Sequence, residues 1–244
     1  MNPAPLPLFY RQPRVLQPGL HGGRSLAQVG RYGFAAGANA VPLLAAEVAQ
    51  ASRLLPVVFA AGELPSLLLV LGLADGQNLC VDDSGQWQLG SYVPSYLRRY
   101  PFIFLEDEAR QELTLCIDEA ATVDVLGGEH ALFESDGQPS ALTRSALAFC
   151  RDYQAHHLLT LEFCRAVAEA GLLVEKRAEI ALRDGQKLSL SGFKVIDEDR
   201  LNRLPAEQLL AWRAKGWLPL IYAHLQSADN WRTLIERAPG RNPA

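Results

Sequence analysis

Ala141–Ala170 reads ALTRSALAFCRDYQAHHLLTLEFCRAVAEA, a stretch with no proline and no glycine. Leu142, Ala146, Phe149, Tyr153, His157, Leu161 and Cys164 recur along it every three or four residues, the spacing that lays one stripe down a helix. Gly171 follows, at the position where a helix commonly turns left-handed and stops. Downstream the period changes. Leu172–Leu182 and Lys187–Val195 flank Arg183-Asp184-Gly185-Gln186, and an Asp-Gly pair between two extended runs is a strong hairpin signal. Asp197–Leu204 then reads as a short helix, Pro205 as the start of another reaching Lys215, and Trp217–Ala228 as a third, with Gly216 between the last two. A long helix feeding a hairpin and then more helices, with no strict strand–helix alternation, places the chain in the α+β class.

Upstream of the long helix, Glu134–Ser140 is polar and rich in turn residues and reads as a linker. It divides an N-terminal α+β part, residues 20–135, from a C-terminal part of helix, hairpin and helices, residues 140–236, the two expected to pack as one unit. The proline-rich arm Asn2–Pro18 is expected to run extended and to pack through Leu8, Phe9 and Tyr10. A short strand is predicted at Tyr32–Phe34. Pro42 is placed to open a helix reaching Arg53, with Val41, Leu44, Ala45, Val48 and Ala49 on its buried face and Glu47 and Gln50 toward the polar side.

Pro56–Ala60, Leu67–Leu73 and Asn78–Val81 read as an antiparallel meander, broken at Gly62–Pro65 and Asp75-Gly76, with Gln86–Leu89 pairing back. Pro101 disfavours helix at Tyr100, so a helix from Pro94 should end there and a strand run over Phe102–Leu105. Glu112–Asp118 alternates as a half-buried strand does. The expected architecture is an antiparallel sheet with packed helices, a long central helix and a C-terminal hairpin plus helices.

Composition excludes several function classes. The 244 residues are 49% hydrophobic and 20% charged, the balance of a folded protein rather than a disordered one. A net charge of −4 with scattered basic residues offers no stripe to neutralise successive phosphates, so nucleic acid is not an expected partner. The apolar runs at Leu54–Ala61 and Leu64–Leu73 are too short and too interrupted for a membrane span. Met1–Leu8 carries neither the positive charge nor the apolar run of a secretory signal, and Cys80, Cys116, Cys150 and Cys164 form no C-x-x-C pair. The expectation is a cytoplasmic protein with buried reduced thiols.

No nucleophile elbow, phosphate-binding loop or dinucleotide fingerprint occurs, and Gly22-Gly23 and Gly127-Gly128 read as turns. Asp152 and His156 stand one helical turn apart, which makes a hydrogen-bonded pair, but two ligands are not a metal site. No metal and no cofactor is expected. Asp82-Asp83 before Ser84-Gly85 reads as turn-making, and Asp197–Asp199 as an N-cap. Tyr92–Phe102, YVPSYLRRYPF, is the densest aromatic and cationic segment. It reads either as a recognition surface, with Arg98 and Arg99 taking an acidic group against Tyr92, Tyr96 and Tyr100, or as a helix end. In the latter, tyrosines one turn apart join a core and the arginines meet the helix dipole.

A family resemblance is carried by Val41-Pro42 with Glu47, Pro56-Val57-Val58-Phe59, Leu71-Gly72 with Asn78-Leu79, Gly85-Gln86-Trp87 and Tyr92-Val93-Pro94 through Arg98-Arg99-Tyr100-Pro101-Phe102. Gly171-Leu172-Leu173, Asp184-Gly185, Ser191-Gly192-Phe193 and Tyr222-Ala223-His224-Leu225 extend it. Across Leu20–Leu234 the chain resembles the SapC family of bacterial proteins. The family is named from a gene cluster associated with a bacterial surface layer. Its relatives lie beside genes for outer-membrane receptors and flavin-dependent halogenase-like proteins, which implies an auxiliary or peptide-modifying role and brings no catalytic mechanism.

The leading expectation is a cytoplasmic binding or accessory protein that holds a peptide, a protein partner or a small acidic ligand through Tyr92, Tyr96, Arg98, Arg99 and Tyr100, with Trp87 and Asn78. Two alternatives stay open. One is a metal-dependent oxygenase or other peptide-modifying enzyme drawing on His21, His130, His156, His157 and His224. The other is a component of a surface-layer or envelope assembly, which requires the chain outside the cytoplasm.

Overall fold

The computed structural model describes residues 6–26, 29–62, 65–88, 92–107, 112–120, 125–126, 129–181 and 187–238. The expected turns at Gly127-Gly128 and Arg183–Gln186 lie outside the described residues. In chain order the elements are β1 (Pro13–Val15), α1 (Pro18–His21), β2 (Arg24–Ser25), β3 (Ala40–Pro42), α2 (Val48–Ala51), β4 (Val57–Ala60), β5 (Leu67–Val70), α3 (Ser95–Arg98), β6 (Phe102–Asp107), β7 (Glu112–Asp118), β8 (Val125–Leu126), α4 (Ala141–Glu169), β9 (Leu173–Ala181), β10 (Lys187–Ile196), α5 (Glu198–Asn202), α6 (Ala206–Ala214), α7 (Trp217–Gln226) and α8 (Trp231–Arg237). The class is α+β, as expected.

The larger sheet has the order β3-β5-β4-β10-β9, antiparallel throughout. β4 and β5 are its almost unbroken apolar runs because each is paired on both edges and packed by neighbours, Phe59 lying 6.4 Å from Phe163 of α4 and 5.2 Å from His224 of α7 between ring centroids. The hairpin β9–β10 joins this sheet through Phe193 and Lys194 opposite Ala60 and Phe59. The main core accordingly mixes residues from both ends of the chain: Val41, Phe59 and Leu69 with Phe163, Trp212 and Ile221. A smaller sheet, β1-β7-β6, and the short pair β2-β8 carry a second cluster around Phe102, Ile117, Leu132 and Cys150.

The long helix forms as its spacing predicts. Ser140 caps it, its Oγ accepting from the Thr143 amide at 3.2 Å, and Gly171 ends it at φ +68°, a conformation that costs glycine nothing. The polar segment before it is a tight turn rather than an open linker. Phe133 bridges Pro139, and the Glu134 amide donates to the Gln138 carbonyl at 2.8 Å.

Four other expectations change. Tyr32–Phe34 is not a strand, because a 3-10 turn occupies Gly33–Ala35. Pro42 ends edge strand β3 instead of opening a helix, a place where a missing N–H is tolerated, and the helical segment is short, a 3-10 turn at Ala45–Glu47 followed by α2. Asn78–Val81 contributes only one bridge, Val81 to Trp87. The N-terminal arm, expected merely to lie extended, supplies β1, which pairs with β7. Asp118 fixes it there: this fully buried carboxylate accepts from the Gln12 amide at 2.7 Å, the Arg11 amide at 3.2 Å and the Tyr100 hydroxyl at 3.2 Å.

Candidate functional site

Helix α3 is only four residues long and would not persist alone, so its position must come from side-chain ties. Glu47 makes them. Expected on a polar face, it is instead 6% exposed. Its Oε2 accepts from the Leu44 amide at 3.0 Å, and its Oε1 accepts from the Ser95 amide at 2.7 Å and from the Tyr92 hydroxyl. Burial, with the carboxylate beside it, pushes the Tyr92 phenol well above its usual range and keeps it a donor. Arg98 completes the knot. It donates Nε to the Val93 carbonyl at 2.9 Å and Nη2 to Ser95 Oγ at 2.8 Å, and it lies 3.9 Å from Glu47.

Arg99, the next residue, has different company. Its guanidinium carbon stands 4.3 Å from the ring centre of Tyr153, 4.6 Å from that of Tyr96 and 5.5 Å from that of Tyr10. Burial raises the Tyr153 phenol to about 12, with the Arg99 charge pulling it back, and raises Tyr10 further. The three rings therefore stay neutral: they stabilise a cation through their faces and cannot cancel its charge. Nε of Arg99 is buried without a hydrogen-bond partner, and among the described residues no carboxylate reaches ion-pair distance of it.

Arg98 and Arg99 both open onto a cavity of about 540 Å³, within the usual range for small-molecule sites. One wall is the loop Val29–Phe34, the opposite one Leu142, Ala146, Phe149 and Cys150 of α4, and Tyr100, Pro101 and Phe102 lie between them. Arg31 lines the loop side and donates to the Ser84 carbonyl at 2.7 Å. The described lining thus holds three arginines, no carboxylate and mostly apolar surface.

The loop is held from behind. The Tyr32 amide donates to the Gly85 carbonyl at 2.7 Å, and Gly85, at φ +79°, lies so close that a Cβ there would come within 3.2 Å of the Gly33 nitrogen. Cys150, 3% exposed, has its thiol pushed up to about 11 by burial, with Arg99 opposing, so it presents a protonated wall rather than a nucleophile.

Of the residues singled out from sequence, Arg98, Arg99 and Tyr100 line the cavity. Tyr96 lies behind Arg99, Tyr92 belongs to the Glu47 knot, and Trp87 packs edge-on against Tyr32 with ring centres 5.8 Å apart. Asn78 is a tie, donating to the Ala35 carbonyl at 2.9 Å and accepting from the Cys80 amide at 2.8 Å. Arg31, Phe149, Tyr10 and Tyr153 were not singled out. The signal for two of them was present: Leu142, Ala146, Phe149 and Tyr153 form the stripe along α4, whose first half faces the cavity and whose second half enters the core.

The histidines lie apart. His21 is fully buried, with Nδ1 3.3 Å from the Gln17 backbone nitrogen and oxygen and Nε2 3.5 Å from Glu119. His157 stacks on Tyr153, and His224, buried on α7, accepts at Nε2 from the Ile196 amide at 3.1 Å. Among the described residues no three His, Cys, Asp or Glu side chains group closely enough to hold a metal ion, and no helix is long and apolar enough to cross a membrane.

Fold and site together define an α+β protein with a cavity, lined by arginines among aromatic and aliphatic side chains, between its small sheet and its long helix. A family model for SapC matches residues 16–234, nearly the whole chain, and the chain belongs to that family. No curated protein and no solved structure matches it.

Proposed function

We propose that this SapC-family chain is a binding or accessory protein whose cavity holds a small acidic ligand or the acidic end of a peptide. One observation carries the reading: Arg31, Arg98 and Arg99 line a mostly apolar space into which no described carboxylate projects. Positive charge that no described carboxylate neutralises attracts an anion, most strongly at half-buried Arg99, where water screens it least. The four unpaired buried thiols suit a reducing compartment, and the cytoplasm is where we place this role.

The test is titration with 1-anilinonaphthalene-8-sulfonate, whose single negative charge and flat rings match the cavity and whose fluorescence rises out of water. Saturable one-site binding to the folded protein, abolished in Ala146→Trp with its melting temperature retained, is the expected result. Absence of saturable binding, or binding indifferent to Ala146→Trp, would overturn the proposal.

A further inference from the structure

Resting on the reading just given, we infer that the cavity recognises a carboxylate attached to a flat apolar body, and that Arg99 rather than Arg98 takes the acid group. The two arginines differ in what they have left to give. Arg98 has already donated to the Val93 carbonyl and Ser95 Oγ, has Glu47 beside it, and lies with its guanidinium carbon 5.3 Å from the Phe149 ring centre. Arg99 packs against the rings of Tyr10, Tyr96 and Tyr153, shares a side-chain hydrogen bond with Tyr96, lines the cavity, and has no described carboxylate at ion-pair distance. Its buried Nε has no acceptor.

Packed against three rings, the Arg99 guanidinium can be reached by a ligand only from the cavity it lines. A carboxylate accepts charge-assisted N–H bonds from a guanidinium and carries the one charge needed to neutralise it. Inorganic phosphate can meet the arginines but has no flat apolar body to lie against the rest of the lining, so it forgoes those contacts. The body of the ligand then lies against Phe34, Phe102, Leu142 and Phe149, which favour flat apolar groups. A free aromatic acid and the C-terminal aromatic residue of a peptide present this same chemistry.

The experiment displaces bound anilinonaphthalene sulfonate from the wild-type chain with 3-phenylpropionate, 3-phenylpropionamide, N-acetyl-Gly-Gly-Phe, the amide of that peptide, and inorganic phosphate. Both acids should compete about tenfold or more better than their amides, and phosphate should not compete. Preference between the free acid and the peptide acid assigns the source. Arg99→Gln should remove the acid-over-amide preference, Arg99→Lys should restore only part of it, and Arg98→Gln should leave it standing. Equal displacement by acids and amides, phosphate competing as well as the acids, or loss of the preference in Arg98→Gln instead would overturn the inference while the dye remains bound. Failure of the dye to bind at all removes the underlying reading.

Discussion

Glu47 and Arg99 each bring a charge into the protein interior, and their surroundings differ in kind. Glu47 receives two backbone amides, a tyrosine hydroxyl and a neighbouring guanidinium, so both of its oxygens are answered. Arg99 receives three aromatic faces and keeps a buried Nε with no acceptor. A buried polar group with every bond made is part of the scaffold, and removing it leaves its partners stranded. A buried polar group with bonds still to make costs free energy in the resting protein, and that cost is recovered when something else supplies the acceptor. Around the short helix α3 the fold sets one of each, and the scaffold group holds the segment that carries the other.

The contrast can be broken first at Glu47. Glu47→Gln sets an amide NH₂ against backbone N–H donors in either orientation, and should lose about 3 kcal/mol or more of unfolding free energy in urea titration. A loss under about 1 kcal/mol would mean α3 is held by packing and Glu47 is not the scaffold's centre.

His224 tests the same idea under pH control. Burial lowers its pKa from 6.5 to about 4, with a backbone contact to Val57 opposing, and the neutral ring accepts from the Ile196 amide. The resulting stability is complete above the ordinary value of 6.5 and is lost as pH falls toward 4, about 3 kcal/mol in all. His224→Gln, which retains an acceptor without the titration, should show a flatter decline between those pH values. Identical curves would place the acid sensitivity elsewhere.

Asp118→Asn should cost about 1–2 kcal/mol and speed amide exchange at whichever of Arg11 and Gln12 is left facing the NH₂ group, since the two donate to different oxygens. The smallest effect belongs to Arg99. Arg99→Gln gives up face contacts with three rings but also relieves an uncompensated charge, so unfolding free energy should change by less than about 1 kcal/mol. A loss as large as that at Glu47 would erase the distinction between the two groups.

The sequence discloses the parts of this molecule that depend on local chemistry. Ser140 and Gly171 bracket α4, Pro101 stops α3, Asp82 closes the turn before Gly85 and Asp197 caps α5, each through contacts within a few residues. It conceals what depends on distant meetings. Glu47 looks exposed in a helical pattern because its ligands come from Tyr92 and Ser95, and the edge position that suits Pro42 exists only once β5 lies beside it.

The site divides the same way. Arg98, Arg99 and Tyr100 stand together in the chain and were legible as a cluster. Tyr10 and Tyr153, which complete the cage, lie far away on either side, and Phe149 belonged to a stripe whose burial no spacing rule distinguishes from a cavity wall.

The arm that supplies β1 has a consequence for the order of events during synthesis. Residues 6–16 leave the ribosome well before the groups that hold them: Tyr10 donates to the Phe102 carbonyl, the Leu8 carbonyl accepts from Tyr96, and β1 lies along β7. This arm must therefore wait for partners that emerge much later, and Tyr153 of the Arg99 cage later still. A nascent chain ending before α4 would hold the arm's partners but leave its cavity without a second wall, so the ability to bind would arise only after α4 had been made.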